Sequence, residues 1–354
     1  MKNIKILQDL CNLDAIAGYE DEVRHYMKTH MKAMNYEIIQ DKLGSIFAYK
    51  PSKKENAPTI MIAGHMDEVG FIVTGYTKHG LLKIHPLGGF WSQVLLTMRV
   101  TVTNSKKEKY HGVVSTIAPH LLTPELRNVP YDIKNMEIDC GFIDEDDARQ
   151  HVEIGAMVTP EKNFKKLSDN RYISKAFDNR YGCAMALDIL CEIKNLELDV
   201  NLYIGATVQE ETGLRGATTS ANMIKPDIFI AVDASPARDT AGAVDELGRL
   251  GNGFLVRHFD RTYIHNRNFK NYILNLSDQN SVAYQDYFSP GGTDAGAVHI
   301  SNNGVISTIF GIPARNIHTS SSIMDMRDYD SAKEIIMLVL NDLNKEKLKE
   351  IVHG

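Results

Sequence analysis

Side chains that commonly bind divalent metals follow several apolar segments of this chain. The set holds histidines and carboxylates only, and its members are His65, Asp67, Asp178, Glu210, Glu211, Asp233 and His318. Apolar runs such as APTIMIAG and DIFIAV stand directly before most of these positions. Such runs are typical of strands buried on both faces of a parallel sheet, and ligands collect at the carboxyl ends of these strands. These side chains at that edge indicate a two-metal hydrolase.

His65 and Asp67 are separated by one residue, so their side chains lie on the same side of an extended segment. One can bind a metal while the other orients it, because a carboxylate commonly fixes the tautomer of a ligating imidazole. The alternative is a solvated pair in a loop after a strand. The other metal-binding side chains favour the first interpretation.

Glu210 and Glu211 are adjacent carboxylates after a buried strand, where they repel each other and gain nothing structurally. Adjacent side chains project in different directions, so one can bind a metal while the next reaches a water beside it. A metal lowers the pKa of such a water toward neutrality, and a nearby carboxylate is suited to take its proton. The pair therefore predicts one ligand and one general base.

Asp178, Asp233 and His318 are weaker signals when each is taken alone. Asp178 precedes a predicted helix near Tyr181, where a carboxylate commonly caps the helix, and a cap can also bind a metal. Asp233 ends the strand IFIAV, where a buried carboxylate is costly without a cation. His318 lies in a polar loop, where a histidine usually has no function, so its assignment rests on the rest of the set.

Six segments, in order along the chain, resemble the motifs of the tetrahedral (TET) aminopeptidases, metallopeptidase family forty-two, and in particular their glutamyl aminopeptidase branch. These segments are GHMDEVGF, SKAFDNRYG, VQEETGLRGA, AVDASPA, PGGTDAGA and RNIHT. The resemblance runs over essentially the whole chain. It implies that His65 and Asp233 bind one metal and that Glu211 and His318 bind a second. Asp178 would bridge the two, Glu210 would be the general base, and Asp67 would orient His65.

The same resemblance implies an aminopeptidase that removes N-terminal residues from short peptides and uses two divalent metal ions per subunit. Histidine and carboxylate ligands together suit Zn²⁺ or Co²⁺ better than Ca²⁺ or Mg²⁺, which favour oxygen ligands. It also implies a homododecamer of tetrahedral shape, built from dimers, and a preference for substrates that begin with Glu or Asp.

A preference for an acidic first residue requires a cation in the substrate site, and a guanidinium suits a carboxylate best. Arg257, near a predicted strand end, is the first candidate, and Arg180 and Arg315 are alternatives close to metal ligands in sequence. Asp294, in the segment GGTDAGA, is expected to line the substrate crevice. This segment lacks the lysine of a phosphate-binding loop, so it does not predict nucleotide binding.

Composition is ordinary for a globular enzyme, with 354 residues, 43% hydrophobic and 24% charged side chains. The net charge of −6 and the lack of a basic stripe argue against a nucleic-acid partner. The four cysteines form no Cys-x-x-Cys pair, which is typical of a reducing compartment. The N-terminus has no signal-peptide pattern, and no apolar stretch approaches the ~20 residues that span a bilayer. We expect a cytoplasmic protein without membrane contact.

Alternating strand and helix patterns predict an α/β fold, a zinc-peptidase-like catalytic domain around a mostly parallel sheet. Within it, short alternating runs such as RVTVTN and HGVVSTI, broken by Gly, Asn and Pro, predict a small β-rich domain, PDZ-like or a barrel. The predicted division is residues 1–70 with 166–354 for catalysis and residues 71–165 for dimerisation and access. The insert contains none of the predicted ligands, so no chemistry is expected from it.

Other functions stay open at this point. A dinuclear N-acyl amino acid deacylase or carboxypeptidase would use the same kinds of ligand. Glycoside hydrolysis fits poorly, because it needs two carboxylates on either side of a sugar rather than a metal set with histidines. From another class, a non-catalytic assembly protein on the same fold remains an alternative, although an intact ligand set and base argue against it.

Overall fold

The structure is a computed structural model, and it describes residues 4–240 and 247–353. The strands of this part of the chain are β1 (Glu37–Gln40), β2 (Ile46–Lys50), β3 (Thr59–His65), β4 (Gly70–Tyr76), β5 (Leu82–Leu87), β6 (Arg99–Thr103), β7 (Lys109–Val114), β8 (Glu137–Asp139), β9 (Met157–Pro160), β10 (Lys165–Lys166), β11 (Arg171–Ser174), β12 (Asn201–Thr207), β13 (Ile228–Pro236), β14 (Phe254–Phe259), β15 (Tyr284–Phe288), β16 (Ile306–Arg315) and β17 (Ser322–Asp325).

The α-helices of the same ranges are α1 (Ile4–Cys11), α2 (Asp21–Ala33), α3 (Pro124–Arg127), α4 (Glu145–His151), α5 (Phe177–Ile193), α6 (Arg215–Ile224), α7 (Arg267–Asn280), α8 (Asp294–Val298), α9 (Met326–Asp342) and α10 (Lys345–His353). Short 3₁₀ helices span Ser92–Val94, Pro119–Leu121 and Ile133–Asn135. Among the helices described here, none is long and apolar enough to cross a membrane.

An eleven-stranded sheet forms the centre of the larger domain, in the order β1-β2-β12-β3-β13-β16-β17-β11-β10, with β14 pairing with β15 and β16. Its central strands β12, β3, β13 and β16 run parallel. Most of the outer pairs, such as β1 with β2 and β11 with β17, are antiparallel. The predicted α/β fold with a mostly parallel sheet is confirmed, and the antiparallel pairs lie toward its edges.

Helices cover both faces of the central strands, which is why these strands read as continuous apolar runs. Along β3, Ile60 and Ile62 pack on one face in a core that includes residues of α1, α5 and α9. Met61 and Ala63 point to the other face, toward α6 and α8. The alternation follows the two-residue period of a strand, and the polar residues that follow these runs emerge at the carboxyl edge of the sheet.

The strands β4 to β9 close into a separate antiparallel barrel with its own apolar core, which includes Phe71, Val100 and Val158. Its strands begin at Gly70 and end at Pro160, and β10 already pairs with β11 in the large sheet. The expected β-rich insert is therefore a closed barrel. The barrel contacts the catalytic domain through residues of β7 and β9 and through the loop between β5 and β6.

Asp14 links the two domains through a buried ionic cluster. Its Oδ1 accepts hydrogen bonds from Thr159 Oγ1 of the barrel at 2.8 Å and from Lys175 Nζ at 3.1 Å. Its Oδ2 accepts from Lys109 Nζ, also of the barrel, at 2.8 Å. Burial opposes ionisation, but Lys175 and Lys109 together lower the pKa of Asp14 to about 2. The carboxylate therefore stays charged between the domains over the ordinary pH range.

A close approach of two glycines brings the first turn of α5 against the end of β3. A Cβ atom added to Gly64 would lie 2.7 Å from Gly182 Cα, and one added to Gly182 would lie 2.9 Å from Gly64 Cα. Any side chain at either position would force the helix away from the strand. This contact places Asp178, at the start of α5, beside His65, at the end of β3.

Candidate active site

Asp178 lies between two imidazoles, and each of its carboxylate oxygens faces a different one. Its Oδ1 is 3.1 Å from His65 Nε2, and its Oδ2 is 3.4 Å from His318 Nε2. Although burial opposes it, hydrogen bonds from both histidines hold the pKa of Asp178 below its usual range. One carboxylate shared by two imidazoles has the arrangement of a ligand that bridges two cations.

A further carboxylate completes a cluster on each side of Asp178. Asp233 Oδ1 lies 3.7 Å from His65 Nε2, and Glu211 Oε1 lies 3.5 Å from His318 Nε2. The trio of His65, Asp178 and Asp233 and the trio of Asp178, Glu211 and His318 each place one ligand atom per residue within 4.8 Å of the others. The fold thus brings together all the side chains that the sequence suggested as metal ligands.

The cluster has the electrostatics of a site that needs cations. Glu211 Oε1 is buried and has no hydrogen-bond partner among the residues that the structure describes. Burial raises the pKa of Glu211 to about 8, and it also raises the pKa of Asp233. Buried carboxylates crowded in this way are costly on their own and favourable around a divalent ion. The donor set therefore fits two divalent metals of the type that accept imidazole and carboxylate together.

The orientation of His65 is set by a backbone group. Its Nδ1 lies 2.9 Å from the carbonyl oxygen of Asp67 and 3.6 Å from Asp67 Oδ1. A carbonyl oxygen can only accept, so Nδ1 carries a proton in either charge state of the imidazole, and Nε2, which faces Asp178, is the nitrogen available to a metal. Asp67 orients His65 as expected from the resemblance, but mainly through its main chain.

The carboxylate of Asp67 instead holds the turn that carries the adjacent glutamates. Its Oδ1 accepts from the amide of Glu210 and its Oδ2 from the amide of Glu211, both at 3.1 Å. Glu20 Oε1 holds the preceding amide, of Gln209, at 3.1 Å, and that residue has a φ of 55°. Two buried carboxylates thus fix three consecutive amides. The sequence did not indicate Glu20, because no local pattern relates positions 189 residues apart.

Glu210 points into the cavity beside the ligand cluster. Its Oε2 lies 3.8 Å from His65 Nε2, and its side chain is 10% exposed. Burial, together with the charges of Asp233 and Glu211, raises the pKa of Glu210 well above its usual value. A carboxylate with a raised pKa, next to a metal-binding cluster and open to the cavity, has the properties of a general base.

The helix that follows Asp178 is capped by its neighbour, so the prediction that Asp178 is the cap was wrong. Asp178 and Asn179 have non-helical dihedral angles near the start of α5. Asn179 Oδ1 accepts from the amide of Gly182 at 3.2 Å, and Asn179 Nδ2 donates to the carbonyl oxygen of Val232 at 2.7 Å. Because Asn179 takes the cap, both oxygens of Asp178 are free for the histidines.

A cavity of about 1080 Å³ opens over the cluster. The ligands and Glu210 form part of its wall. The remaining wall comes from segments of both domains, which are residues 89–94, 213–214, 234–236, 257–262, 289–292 and 316–321. The first of these belongs to the barrel domain, for which the sequence predicted a role in access but not in chemistry.

Arg257 is a buried residue of the cavity wall, with a fractional exposure of 2%. Its Nη2 donates to Ser235 Oγ at 2.6 Å and its Nη1 to Asp260 Oδ2 at 3.2 Å, while its Nε has no hydrogen-bond partner within residues 4–240 and 247–353. Arg257 is therefore buried rather than exposed at the strand end. Arg261, which the sequence analysis did not select, is exposed and lines the same cavity.

The two alternative arginines are occupied elsewhere. Arg180 is fully buried and donates to the carbonyl oxygens of Leu10 at 2.8 Å, Met66 at 2.7 Å and Ala15 at 2.9 Å. It holds the N-terminal segment in place and cannot meet a substrate. Arg315 donates through Nε and Nη2 to Asp239 at 2.7 and 2.6 Å. Neither arginine is among the described residues that line the cavity.

Asp294 lies behind the cluster rather than in the crevice, contrary to expectation. It is 4% exposed, its Oδ2 accepts from Thr207 Oγ1 at 2.5 Å, and it is absent from the cavity lining. Burial raises the pKa of Asp294 to about 7. Two other residues of the same segment, Gly291 and Gly292, do line the cavity. The turn reaches the site through its backbone, while its carboxylate faces inward.

A family model and the sequences of known relatives both match this chain over most of its length. A model of the M42 glutamyl aminopeptidases matches residues 44–335. The glutamyl aminopeptidase of Lactococcus lactis subsp. cremoris (strain MG1363) is 41% identical over 346 residues, which is 97% of each chain. The lysyl aminopeptidase of Pyrococcus furiosus is 28% identical over 348 residues, covering 97% of this chain and 98% of the relative.

Solved structures with the same fold cover nearly the whole chain. A TET aminopeptidase from the marine sediment archaeon Thaumarchaeota archaeon SCGC AB-539-E09 superimposes with a TM-score of 0.95 and 33% identity over 99% of both chains. The TET1 peptidase of Pyrococcus horikoshii, which can assemble into a tetrahedron or a large octahedral shell, has a TM-score of 0.87 and 24% identity, over 96% of this chain and 99% of its own.

Proposed function

The chain belongs to the M42 glutamyl aminopeptidase family and is a hydrolytic peptidase, and we propose that it is a metal-dependent aminopeptidase that releases acidic N-terminal residues from short peptides. The observation that carries the metal dependence is the position of Asp178, with one carboxylate oxygen toward His65 and the other toward His318. A structural role does not require two imidazoles to share one buried carboxylate.

In this proposal His65, Asp178 and Asp233 hold one divalent cation, and Asp178, Glu211 and His318 hold the other. Zn²⁺ and Co²⁺ are the candidates, because both accept nitrogen and carboxylate ligands. Such cations polarise the scissile carbonyl and lower the pKa of the attacking water.

Glu210 takes the proton of that water and returns it to the amine that leaves. Asp67 keeps both glutamates aligned through their backbone amides, and it keeps His65 in the tautomer that presents Nε2.

The preference for Glu and Asp rests on the arginines of the cavity wall. The Nε of Arg257 has no hydrogen-bond partner among the described residues, and Arg261 adds a second guanidinium at the same wall. Against this preference stands the lysyl aminopeptidase among the relatives, so family membership alone does not decide the substrate. The glutamyl relative is the more similar of the two in sequence.

The assembly and the location are parts of the same proposal. The TET relatives support a homo-oligomer, for which we propose a dodecamer built from dimers, with the barrel (residues 71–165) in assembly and residues 1–70 with 166–354 in catalysis. The free thiols of Cys11, Cys140, Cys183 and Cys191 support a reducing cytoplasm. Light scattering of the purified protein measures the size of the assembly directly.

One experiment tests the activity and its alternatives together. The protein is stripped with EDTA, reloaded with Zn²⁺ or Co²⁺, and assayed on p-nitroanilides of Glu, Asp, Lys, Leu and Ala, and on N-acetyl-Glu and carboxyl-terminal substrates. We expect the Glu and Asp substrates with a free amine to be cleaved fastest, and only after reloading. Faster cleavage of the acetylated substrate would identify a deacylase, and no cleavage despite stoichiometric metal would indicate a non-catalytic protein.

A further inference from the structure

A loop of the barrel domain carries the sole tryptophan of the chain to the edge of the active-site cavity. This loop spans residues 88–95, between β5 and β6. Phe90 stacks on Phe71 of the barrel core, with ring centroids 4.6 Å apart and planes 7° apart, and Leu95 is fully buried. The amide of Val94 donates to the carbonyl oxygen of Trp91 at 3.2 Å, closing a short turn. The loop is therefore anchored at both ends.

Trp91 points away from that anchor. Its backbone is extended, with φ −90° and ψ 119°, and adjacent side chains of extended backbone project to opposite sides. Phe90 packs against the barrel core, Val94 packs against the same core and also lines the cavity, and Trp91 lines the cavity with 62% of its surface exposed. An indole held in the wall of a cavity offers a large apolar surface that a bound molecule can cover.

The loop borders one end of the ligand cluster. A Cβ atom added to Gly88 would lie 3.3 Å from Glu211 Cβ, and one added to Gly89 would lie 3.6 Å from His318 Nδ1. Trp91 thus belongs to the side of the cavity formed by Glu211 and His318.

Arg257 borders the other end. Its Nη2 contacts Ser235 Oγ at 2.6 Å and the Ala234 carbonyl oxygen at 3.4 Å, directly after Asp233 in β13. Asp178 stands between the two ends, because its carboxylate oxygens face His65 on one side and His318 on the other. A peptide with its first side chain beside Arg257 and its first peptide bond over Asp178 must continue toward Trp91.

We propose that Trp91, with Val94, contacts the residue that follows the scissile bond and gives the enzyme a preference for an aromatic or large aliphatic residue at that position. The inference rests on the aminopeptidase function proposed above. It assigns specificity for the leaving part of the substrate to the inserted domain.

Kinetics on tripeptides test this assignment with the metal-loaded oligomer. Glu-Phe-Ala and Glu-Gly-Ala are compared in the wild type, Trp91→Ala, Trp91→Phe and Leu121→Ala. Leu121 is the matched control, since it is also an exposed apolar side chain of the insert but does not line the cavity. We expect kcat/KM to favour Glu-Phe-Ala by about tenfold in the wild type, the range for one apolar side chain in a pocket. Trp91→Ala should remove most of this ratio, and the other two variants should keep it.

A ratio that survives in Trp91→Ala would overturn the proposal, as would a change of assembly size in that variant, which would assign Trp91 to a subunit interface. If the wild type cleaved neither peptide, the proposed function would fail on its own. Binding then still tests Trp91, because it is the sole tryptophan of the chain, and excitation at the long-wavelength edge of the indole band selects its fluorescence over that of the tyrosines. Titration with the dipeptide Phe-Ala should shift its emission saturably, whereas Gly-Ala should not. Equal responses to both, or none, would overturn the proposal.

Discussion

Glu20 and Gln209 are 189 residues apart in sequence, and the buried carboxylate of Glu20 accepts a hydrogen bond of 3.1 Å from the Gln209 amide. The same oxygen accepts from the amide of Gly18 at 2.8 Å. Together with Asp67, this contact fixes the backbone directly before the proposed base and metal ligand. The start of α2, far from the motifs in sequence, therefore supports the geometry of the site.

We expect Glu20→Ala to lower kcat by about 10- to 100-fold, the range for residues that orient metal ligands, with a smaller change in KM. Glu20→Gln keeps an acceptor oxygen for the Gln209 amide and should stay near the wild type. Asp328→Ala is the matched control, because Asp328 is also fully buried and accepts from the amides of Gly251 at 2.7 Å and Gly253 at 2.8 Å. Kinetics and thermal unfolding of the three variants check this. If Asp328→Ala reduced kcat per folded protein equally, a general loss of stability would explain both.

Glu210→Gln should leave the metal content unchanged and nearly abolish turnover. The change removes the proposed base but keeps all the proposed ligands, and loss of a general base costs about 10²- to 10⁴-fold. Elemental analysis and single-turnover rates measure the two properties separately. A variant that kept more than about a tenth of the activity would exclude Glu210 as the base.

Substitutions of the ligands should separate the two metal sites. His318→Ala and Glu211→Ala are expected to weaken one site, while Asp178→Ala weakens both, because its oxygens face both histidines. Asp67→Asn keeps only one acceptor oxygen for two amides, so we expect a milder loss of about 10- to 100-fold in affinity or activity. Calorimetric titration with Co²⁺ resolves the sites. Equal weakening of both sites by every variant would contradict the assignment.

Arg257→Ala should reduce cleavage of substrates that begin with Glu or Asp far more than cleavage of those that begin with Leu or Ala. The reason is the loss of a buried guanidinium from the cavity wall, because a hydrogen bond to a charged partner contributes about 1.5–3 kcal/mol. Arg261→Ala, at the exposed part of the same wall, should have a smaller effect of the same kind. A uniform loss over the p-nitroanilide panel would show that Arg257 only supports the fold, through Ser235 and Asp260.

Asp14 should make the stability of the metal-free protein sensitive to acid. Its pKa is about 2 in the folded protein, below the value of about 3.9 expected in the unfolded chain. The folded state therefore gains stability above the unfolded pKa and loses it as the pH falls from about 4 toward 2, by about 2 kcal/mol. Urea unfolding with EDTA at pH 5 and pH 3 should show a smaller decrease for Asp14→Asn than for the wild type. The same decrease in both proteins would contradict this linkage.

The sequence alone determined the fold class and the set of side chains that we propose as ligands. Each of these features is local: an apolar run with a two-residue period predicts a buried strand, and a polar residue at its end lies at the carboxyl edge of the sheet. His65 follows directly from that rule as the last residue of β3, while Asp233 follows the apolar run of β13 three residues before that strand ends. The resemblance to family motifs added His318, which no periodic pattern selected.

Only the tertiary structure showed which atoms make the contacts that shape the site. Nothing local distinguishes Asn179 from Asp178 as the helix cap, and only the folded chain shows that the Asp67 carboxylate faces two amides of the glutamate turn. Arg180 is close in sequence to Asp178, a proposed ligand. Its guanidinium nevertheless donates hydrogen bonds to carbonyl groups that are far away along the chain. Trp91 lines the cavity although it belongs to the barrel domain, which contains none of the proposed ligands. These contacts join positions far apart in sequence, and their energies depend on burial and direction, which a linear pattern does not contain.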